Sequence, residues 1–174
     1  WWIFVMGLAL VNFCWGDVWE RQAADSTGSD LGKFCDLAID PQDNPHIAYY
    51  DWTFKDLRYA YYKDDTWHIE IVDSIGHTGE YCSIALDAQD RPHISYWLDY
   101  LGHYPSLGYA VRTDTGWAKI IVETGKDTTY EVGDDFTSIV NNSQGYPLIT
   151  YVRDHPIKIM CAYQDANGWH KTEV

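Results

Sequence analysis

Carboxylates standing beside flat rings are the groups best equipped for chemistry in this chain. They gather in Asp51-Trp52-Thr-Phe-Lys-Asp56, Asp99-Tyr100-Leu-Gly-His103-Tyr104-Pro105 and Asp154-His155-Pro156. A ring stacks on the apolar face of a sugar and a carboxylate takes its hydroxyl hydrogen bonds, so the mixture suits carbohydrate. Asp51, Trp52, Asp99, Tyr100, His103, Tyr104, Asp154 and His155 are therefore the candidate ligand contacts. Asp73-Ser-Ile-Gly-His77-Thr-Gly-Glu80 and the longer stretch 123–135 add acids and His77. Two such carboxylates could serve as acid and base in glycoside cleavage, Asp99 with Glu131 for instance, but the sequence selects no pair. There is no G-x-S-x-G, no phosphate-binding glycine loop and no H-E-x-x-H. His46 and His93 lie 47 residues apart, which matches no metal motif, and neither metal nor cofactor is expected. With 12 Lys plus Arg against 26 Asp plus Glu, the charge of −14 repels a phosphate backbone and excludes nucleic acid as a partner.

Positioning these groups falls to a repeat. Cys35-Asp-Leu-Ala-Ile-Asp40-Pro-Gln-Asp-Asn-Pro45-His-Ile-Ala-Tyr49 returns as Cys82-Ser-Ile-Ala-Leu-Asp87-Ala-Gln-Asp-Arg-Pro92-His-Ile-Ser-Tyr96. It returns more loosely as Thr137-Ser-Ile-Val-Asn-Asn142-Ser-Gln-Gly-Tyr-Pro147-Leu-Ile-Thr-Tyr151. Leu57-Arg-Tyr-Ala60, Leu107-Gly-Tyr-Ala110 and Ile159-Met-Cys-Ala162 follow, each before a tryptophan, Trp67, Trp117 or Trp169. Each unit divides into four short extended stretches. Pro45, Pro92 and Pro147 fall at the first residue of a second strand, where no ladder donor is needed. Asp114-Thr-Gly116 and Asp165-Ala-Asn-Gly168 supply the tight turn into a fourth strand, whereas Lys63-Asp-Asp-Thr66 has no glycine for it.

Four strands every 47 to 55 residues describe a propeller blade better than a helical solenoid, which needs a 3.6-residue period. The expected fold is all-β: a β-propeller of about 50-residue four-stranded blades, an incomplete ring of three blades plus one extra strand. Blade 1 is placed at 32–78, blade 2 at 79–133 and blade 3 at 134–174. The once-per-unit Trp67, Trp117 and Trp169 read as inter-blade packing, and His46 and His93 as packing or turn residues. Cys35 and Cys82 read as small buried side chains, without a disulfide.

The motifs Pro45-His-Ile-Ala-Tyr-Tyr50, Pro92-His-Ile-Ser-Tyr-Trp97 and Asp114-x-Gly-Trp117 resemble the degenerate repeats of sialidase-like (BNR, Asp-box related) β-propellers of secreted microbial proteins. The resemblance covers 17–174, with an Asp-x-Gly-Trp form shorter than the family's Asp box. It implies architecture more than activity, because that family runs from sialidases to non-catalytic binding proteins. Arg21, Arg58, Arg91, Arg112 and Arg153 supply no match to the arginine cluster that sialidases require.

Residues 1–16 form an apolar run too short to span a bilayer, which takes roughly 18 to 20 residues, and resemble a signal-peptide remnant with small Cys14 and Gly16 before Asp17. Trp19-Glu-Arg-Gln-Ala-Ala-Asp25 aligns with Trp67-His-Ile-Glu-Ile-Val-Asp73, so 17–31 reads as a lone fourth strand and loop. Since blade 3 carries its own fourth strand at Trp169, the array is expected either to be truncated or to close between chains. The functional expectation is a protein secreted, held at the cell surface or periplasmic, binding a glycan or an extracellular protein through its loop face without catalysis. The alternative is a glycoside hydrolase or related enzyme of sialidase-like fold whose catalytic residues lie partly outside these 174 residues.

Overall fold

An aspartate or asparagine closes the first turn of every unit. Asp40 accepts from the backbone N–H groups of Gln42 (2.9 Å) and Asn44 (2.8 Å), and Asp87 from those of Gln89 and Arg91 (both 2.9 Å). Asn142 does the same for Gln144 (2.9 Å) and Tyr146 (3.0 Å). The side chain so replaces two backbone acceptors and fixes the hairpin locally. Pro45, Pro92 and Pro147 then each open a strand.

The computed structural model describes residues 21–28, 30–99, 105–125, 136–153 and 157–174, and among these there is no helix. Twelve strands form three antiparallel four-stranded sheets in sequential order. Blade 1 contains β1 (Leu31–Ile39), β2 (Pro45–Asp51), β3 (Asp56–Lys63) and β4 (Thr66–Asp73). Blade 2 contains β5 (His77–Leu86), β6 (Pro92–Asp99), β7 (Ser106–Thr113) and β8 (Gly116–Thr124). Blade 3 contains β9 (Ser138–Asn141), β10 (Pro147–Arg153), β11 (Lys158–Asp165) and β12 (Gly168–Glu173). Asp64 and Asp65, at φ 51° and 60°, make the turn that lacks a glycine, aspartate being one of the few residues that tolerate the left-handed region.

The sheets pack face to face through two apolar clusters. Ala48, Leu57, Tyr59 and Val72 of blade 1 meet Ile84, Ile94, Tyr96, Leu98 and Ala110 of blade 2. Leu107, Tyr109 and Val122 of blade 2 meet Ile139, Ile149, Tyr151, Met160 and Ala162 of blade 3. Blade 2 thus has a leading face turned to blade 1 and a trailing face turned to blade 3, and the equivalent faces of the other blades take the same names. Trp117 and Trp169 sit on leading faces, edge-on to Tyr59 (5.3 Å) and Tyr109 (5.2 Å) of the preceding blade. Polar bonds cross the same interfaces. Tyr96 donates to Asp73 (2.9 Å), Lys119 pairs with Asp73 (2.8 Å), and Tyr151 donates to Glu123.

The first strands are longer than the sequence suggests, and bulged. β5 begins at His77 rather than near Ser83, and the registers of β1 and β5 slip around Phe34 and Tyr81. These two residues occupy equivalent places, both with positive φ (51° and 50°), a strained conformation for an aromatic residue. The bulges bring Phe34, Tyr81 and Phe136 into a column, with centroids 4.2 and 5.4 Å apart.

Two expectations need amendment. Cys35 is exposed while Cys82 is buried, because blade 2's leading face is covered by blade 1 whereas no described sheet covers that of blade 1. The segment read as a lone fourth strand carries no strand over residues 21–28, with no described strand beside it to ladder with; Trp19 lies outside the described residues.

Candidate functional site

Where the trailing face of blade 1 diverges from the leading face of blade 2, a cleft of about 760 Å³ opens among the β1–β2, β3–β4, β5–β6 and β7–β8 turns. Blade 1 contributes Asp40, Gln42, Asn44, His46, Tyr59, Tyr61, Tyr62, Lys63 and Asp64; blade 2 contributes Gln89 to Pro92 and Arg112 to Asp114. Cross-strand register puts His46, Tyr61 and His68 in one row over β2, β3 and β4. Their rings lie nearly parallel, His46 to Tyr61 at 6.1 Å and 20°, Tyr61 to His68 at 4.9 Å and 17°. Blade 2 has Val111 and Ala118 in place of Tyr61 and His68, so this wall of rings is not simply a property of the repeat.

Behind the wall runs a polar chain. His46 Nδ1 is 2.5 Å from the Tyr59 hydroxyl, and His46 Nε2 is 3.5 Å from Asp40 Oδ2, a weaker contact. Blade 2 repeats it, with His93 Nδ1 2.6 Å from the Tyr109 hydroxyl and Nε2 3.3 Å from Asp87 Oδ2. Blade 3 loses all three members together, carrying Asn142, Leu148 and Cys161. Burial pushes the His93 pKa down, only partly offset by Asp87, so its imidazole is neutral: Nε2–H donates to Asp87 and Nδ1 accepts from Tyr109. Burial works against the Asp87 carboxylate, but bonds from the Arg91 side chain, from the backbone of Arg91 and Gln89, and from His93 outweigh it and hold the pKa at about 2. Asp40 is likewise held at about 2, its burial outweighed by Asn44, Gln42 and His46. Burial raises the Tyr59 pKa, which keeps its hydroxyl protonated.

The opposite wall carries two guanidinium groups, each already forked on a carboxylate. Arg112 places Nε (2.9 Å) and Nη2 (2.7 Å) on Glu70, which also accepts from Trp117 Nε1 (2.9 Å). Arg91 places Nε (2.7 Å) and Nη2 (2.6 Å) on Asp87. These pairs fix the guanidinium planes and leave other N–H donors unspent, since arginine has five. The cleft therefore offers aromatic side chains on one side, His46, Tyr59, Tyr61 and Tyr62, and oriented donors with acidic acceptors on the other. Groups of this kind are able to hold hydroxyl-rich matter. Among the described residues no group of acids, histidines and cysteines could hold a metal ion.

Of the residues favoured from sequence, those described, Asp51, Trp52 and Asp99, lie at the opposite ends of the strands. Asp51 is fully buried: its carboxylate accepts from the backbone of Thr53 (2.9 Å) and Phe54 (3.2 Å) and pairs with Arg58 (2.7 Å), so it shapes the loop from within. Trp52 is 47% exposed, with Lys33 Nζ 4.1 Å above its ring. Asp99 ends β6 opposite His77, and its Oδ1 is buried with no hydrogen-bond partner among the described residues. Tyr100, His103, Tyr104, Glu131, Asp154 and His155 lie outside the described residues. Sequence reasoning weighed Arg91 and Arg112 only against a sialidase-type arginine cluster, although they depart from the repeat, their counterparts being Asn44 and Tyr146, and Tyr62 and Gln164.

No protein-family model matches the sequence, and no curated protein matches it. Solved structures do. The Hadza microbial sialidase Hz136 superposes with a TM-score of 0.58 at 12% identity, over 81% of this chain and 37% of its own. AofleA from Arthrobotrys oligospora gives 0.55 at 10% identity, over 80% and 41%. The chain is three blades of a β-propeller. A fucose lectin from Kordia zhangzhouensis in complex with methyl-fucoside gives 0.49 at 11% identity, over 79% of this chain and 96% of the lectin. These three blades span well under half of the sialidase and of AofleA.

Proposed function

We propose that this propeller array is a glycan-binding module whose inter-blade cleft takes a neutral sugar. What carries the reading is the pairing of the aromatic wall of His46, Tyr59, Tyr61 and Tyr62 with the forked Arg91 and Arg112 donors. Sugar binding draws on both, since a pyranose has an apolar face and a rim of hydroxyls. A neutral sugar fits better than an acidic one, because both guanidinium charges are spent on internal carboxylates and the whole chain carries −14. Trp52 and Asp99, on the loop face, are proposed as a separate contact surface. The same reading takes residues 1–16 as an export signal and the module as extracellular, surface-held or periplasmic.

Titration with neutral methyl hexosides tests the cleft. Binding is expected to weaken at least tenfold in Arg112→Met and in Gln42→Trp, which fills the cleft from an exposed turn position. Thermal stability of Gln42→Trp should stay that of the parent. Undiminished affinity in both variants overturns the cleft, and turnover of chromogenic glycosides would put catalysis in place of binding.

A further inference from the structure

The carboxylate that Arg112 grips comes from the other blade, and from a position that changes with every repeat. Glu70 stands on β4 of blade 1 and takes the Arg112 fork (2.9 and 2.7 Å) together with the Trp117 Nε1–H of blade 2 (2.9 Å). Gln22 holds the same place one unit earlier, three residues after Trp19, and its Oε1 accepts from Trp67 Nε1 at 3.3 Å. An amide therefore satisfies the indole. The residue of that unit at the arginine position is Tyr62. One unit later, Ile120 stands in place of the acid and Gln164 in place of the arginine. Over the three tryptophans Trp67, Trp117 and Trp169 the acid occurs only where the arginine does. The charge of Glu70 answers Arg112, not Trp117.

The two carboxylates that occupy the cleft's guanidinium groups are not interchangeable. Asp87 also accepts from two turn amides and contacts His93, so its charge is bound up with the hairpin that carries Arg91. Glu70 closes no turn, and its side chain is part-exposed. Arg112 lines the cleft and Glu70 does not. Even so, the Glu70 charge is felt inside: burial first and Glu70 next raise the pKa of Tyr59 on the facing wall, while Arg112 acts the other way.

We propose that Glu70 is the residue that sets the charge of the sugar admitted: by filling the Arg112 fork it bars uronic acids, and a neutral side chain at position 70 turns the cleft into a uronate site. The inference rests on the reading of the cleft as a sugar site. A free guanidinium fork takes a carboxylate through two parallel N–H···O bonds, but a uronate entering here meets a fork already filled and a like charge beside it. In Glu70→Gln the amide oxygen still accepts from Trp117, as Gln22 does from Trp67, yet it offers one acceptor oxygen where the fork needs two. Arg112 is then left with its charge unspent on the cleft wall.

Calorimetric titration of the full chain with methyl glucoside and methyl glucuronide tests this. The parent is expected to prefer the glucoside at least tenfold, a measurement that needs no variant. Glu70→Gln should bind the glucuronide at least tenfold more tightly than the parent does, with an affinity that falls as salt rises. The double variant Glu70→Gln with Arg112→Gln, which carries the residue of blade 3 at 112, should lose that gain. A purely structural role for Glu70 predicts loss and no new salt-dependent affinity. A parent that takes the glucuronide as tightly as the glucoside overturns the proposal, as does a folded Glu70→Gln without the gain or a gain that survives loss of Arg112. A parent that takes neither sugar, beside a Glu70→Gln that takes the glucuronide, overturns the neutral-sugar reading instead and upholds the role of Glu70.

Discussion

Asp87 does three things at once: it closes a turn, anchors His93 and forks Arg91. Blade 3 shows which of these asparagine can do, since Asn142 closes the same turn without the other two partners. Asp87→Asn is therefore expected to cost about 1 to 3 kcal/mol, the range for a buried charge-assisted bond, and Asp87→Ala more, both read by denaturant unfolding. The pH dependence follows from the same groups. His93 resists protonation in the fold, so as pH falls below the ordinary value of 6.5 the unfolded chain binds a proton that the folded chain refuses, and stability declines. Asp40 and Asp87 are held at about 2 against the ordinary 3.8, so their contribution is complete above 3.8 and is lost as pH falls towards 2. Unfolding free energies from pH 8 to pH 2 should fall in these two separated windows, and His93→Leu, the residue of blade 3, should remove the upper one.

At the level of elements, repeat-equivalent isoleucines measure what covers each sheet. Ile94 and Ile149 are fully buried between blades, whereas Ile47 on the leading face of blade 1 is only half-buried. Ile94→Ala and Ile149→Ala should each cost about 2 to 5 kcal/mol, and Ile47→Ala distinctly less, in thermal or denaturant unfolding. Strands and turns were legible in the sequence because their causes are local: a proline that needs no ladder donor, an Asx side chain two and four residues before the amides it caps, a tryptophan after a tight turn. The cleft was not legible, because its walls come from two blades and the register that aligns His46, Tyr61 and His68 emerges only when strands pair. Asp51 was misleading for the same reason. A carboxylate in a loop looks solvent-facing until the cross-strand pairing of Tyr49 with Arg58 brings a guanidinium over it. Its role as a loop cap could have been suspected from the amide two residues on, which the aspartates and asparagine of the Asx turns also cap.

Taken whole, the described sheets pack blade 1 on blade 2 and blade 2 on blade 3 through separate apolar clusters, so stability is a sum of sheet terms and interface terms rather than a single core. The alignment of Trp19–Asp25 with Trp67–Asp73 gives Asp25 the repeat position of Asp73, and Asp25 accepts from Tyr49 as Asp73 accepts from Tyr96. Blade 2 alone contributes to both apolar clusters. Opening blade 1 or blade 3 breaks one interface; opening blade 2 breaks two. Among the described sheets blade 2 is therefore the keystone, and their unfolding should begin in blades 1 and 3. Amide hydrogen exchange is expected to be slowest in β6 and β7 and fastest in β1 and β12, with intermediate stages in which blade 2 keeps its protection alongside a single partner. Uniform protection across all twelve strands would instead mark one indivisible cooperative unit.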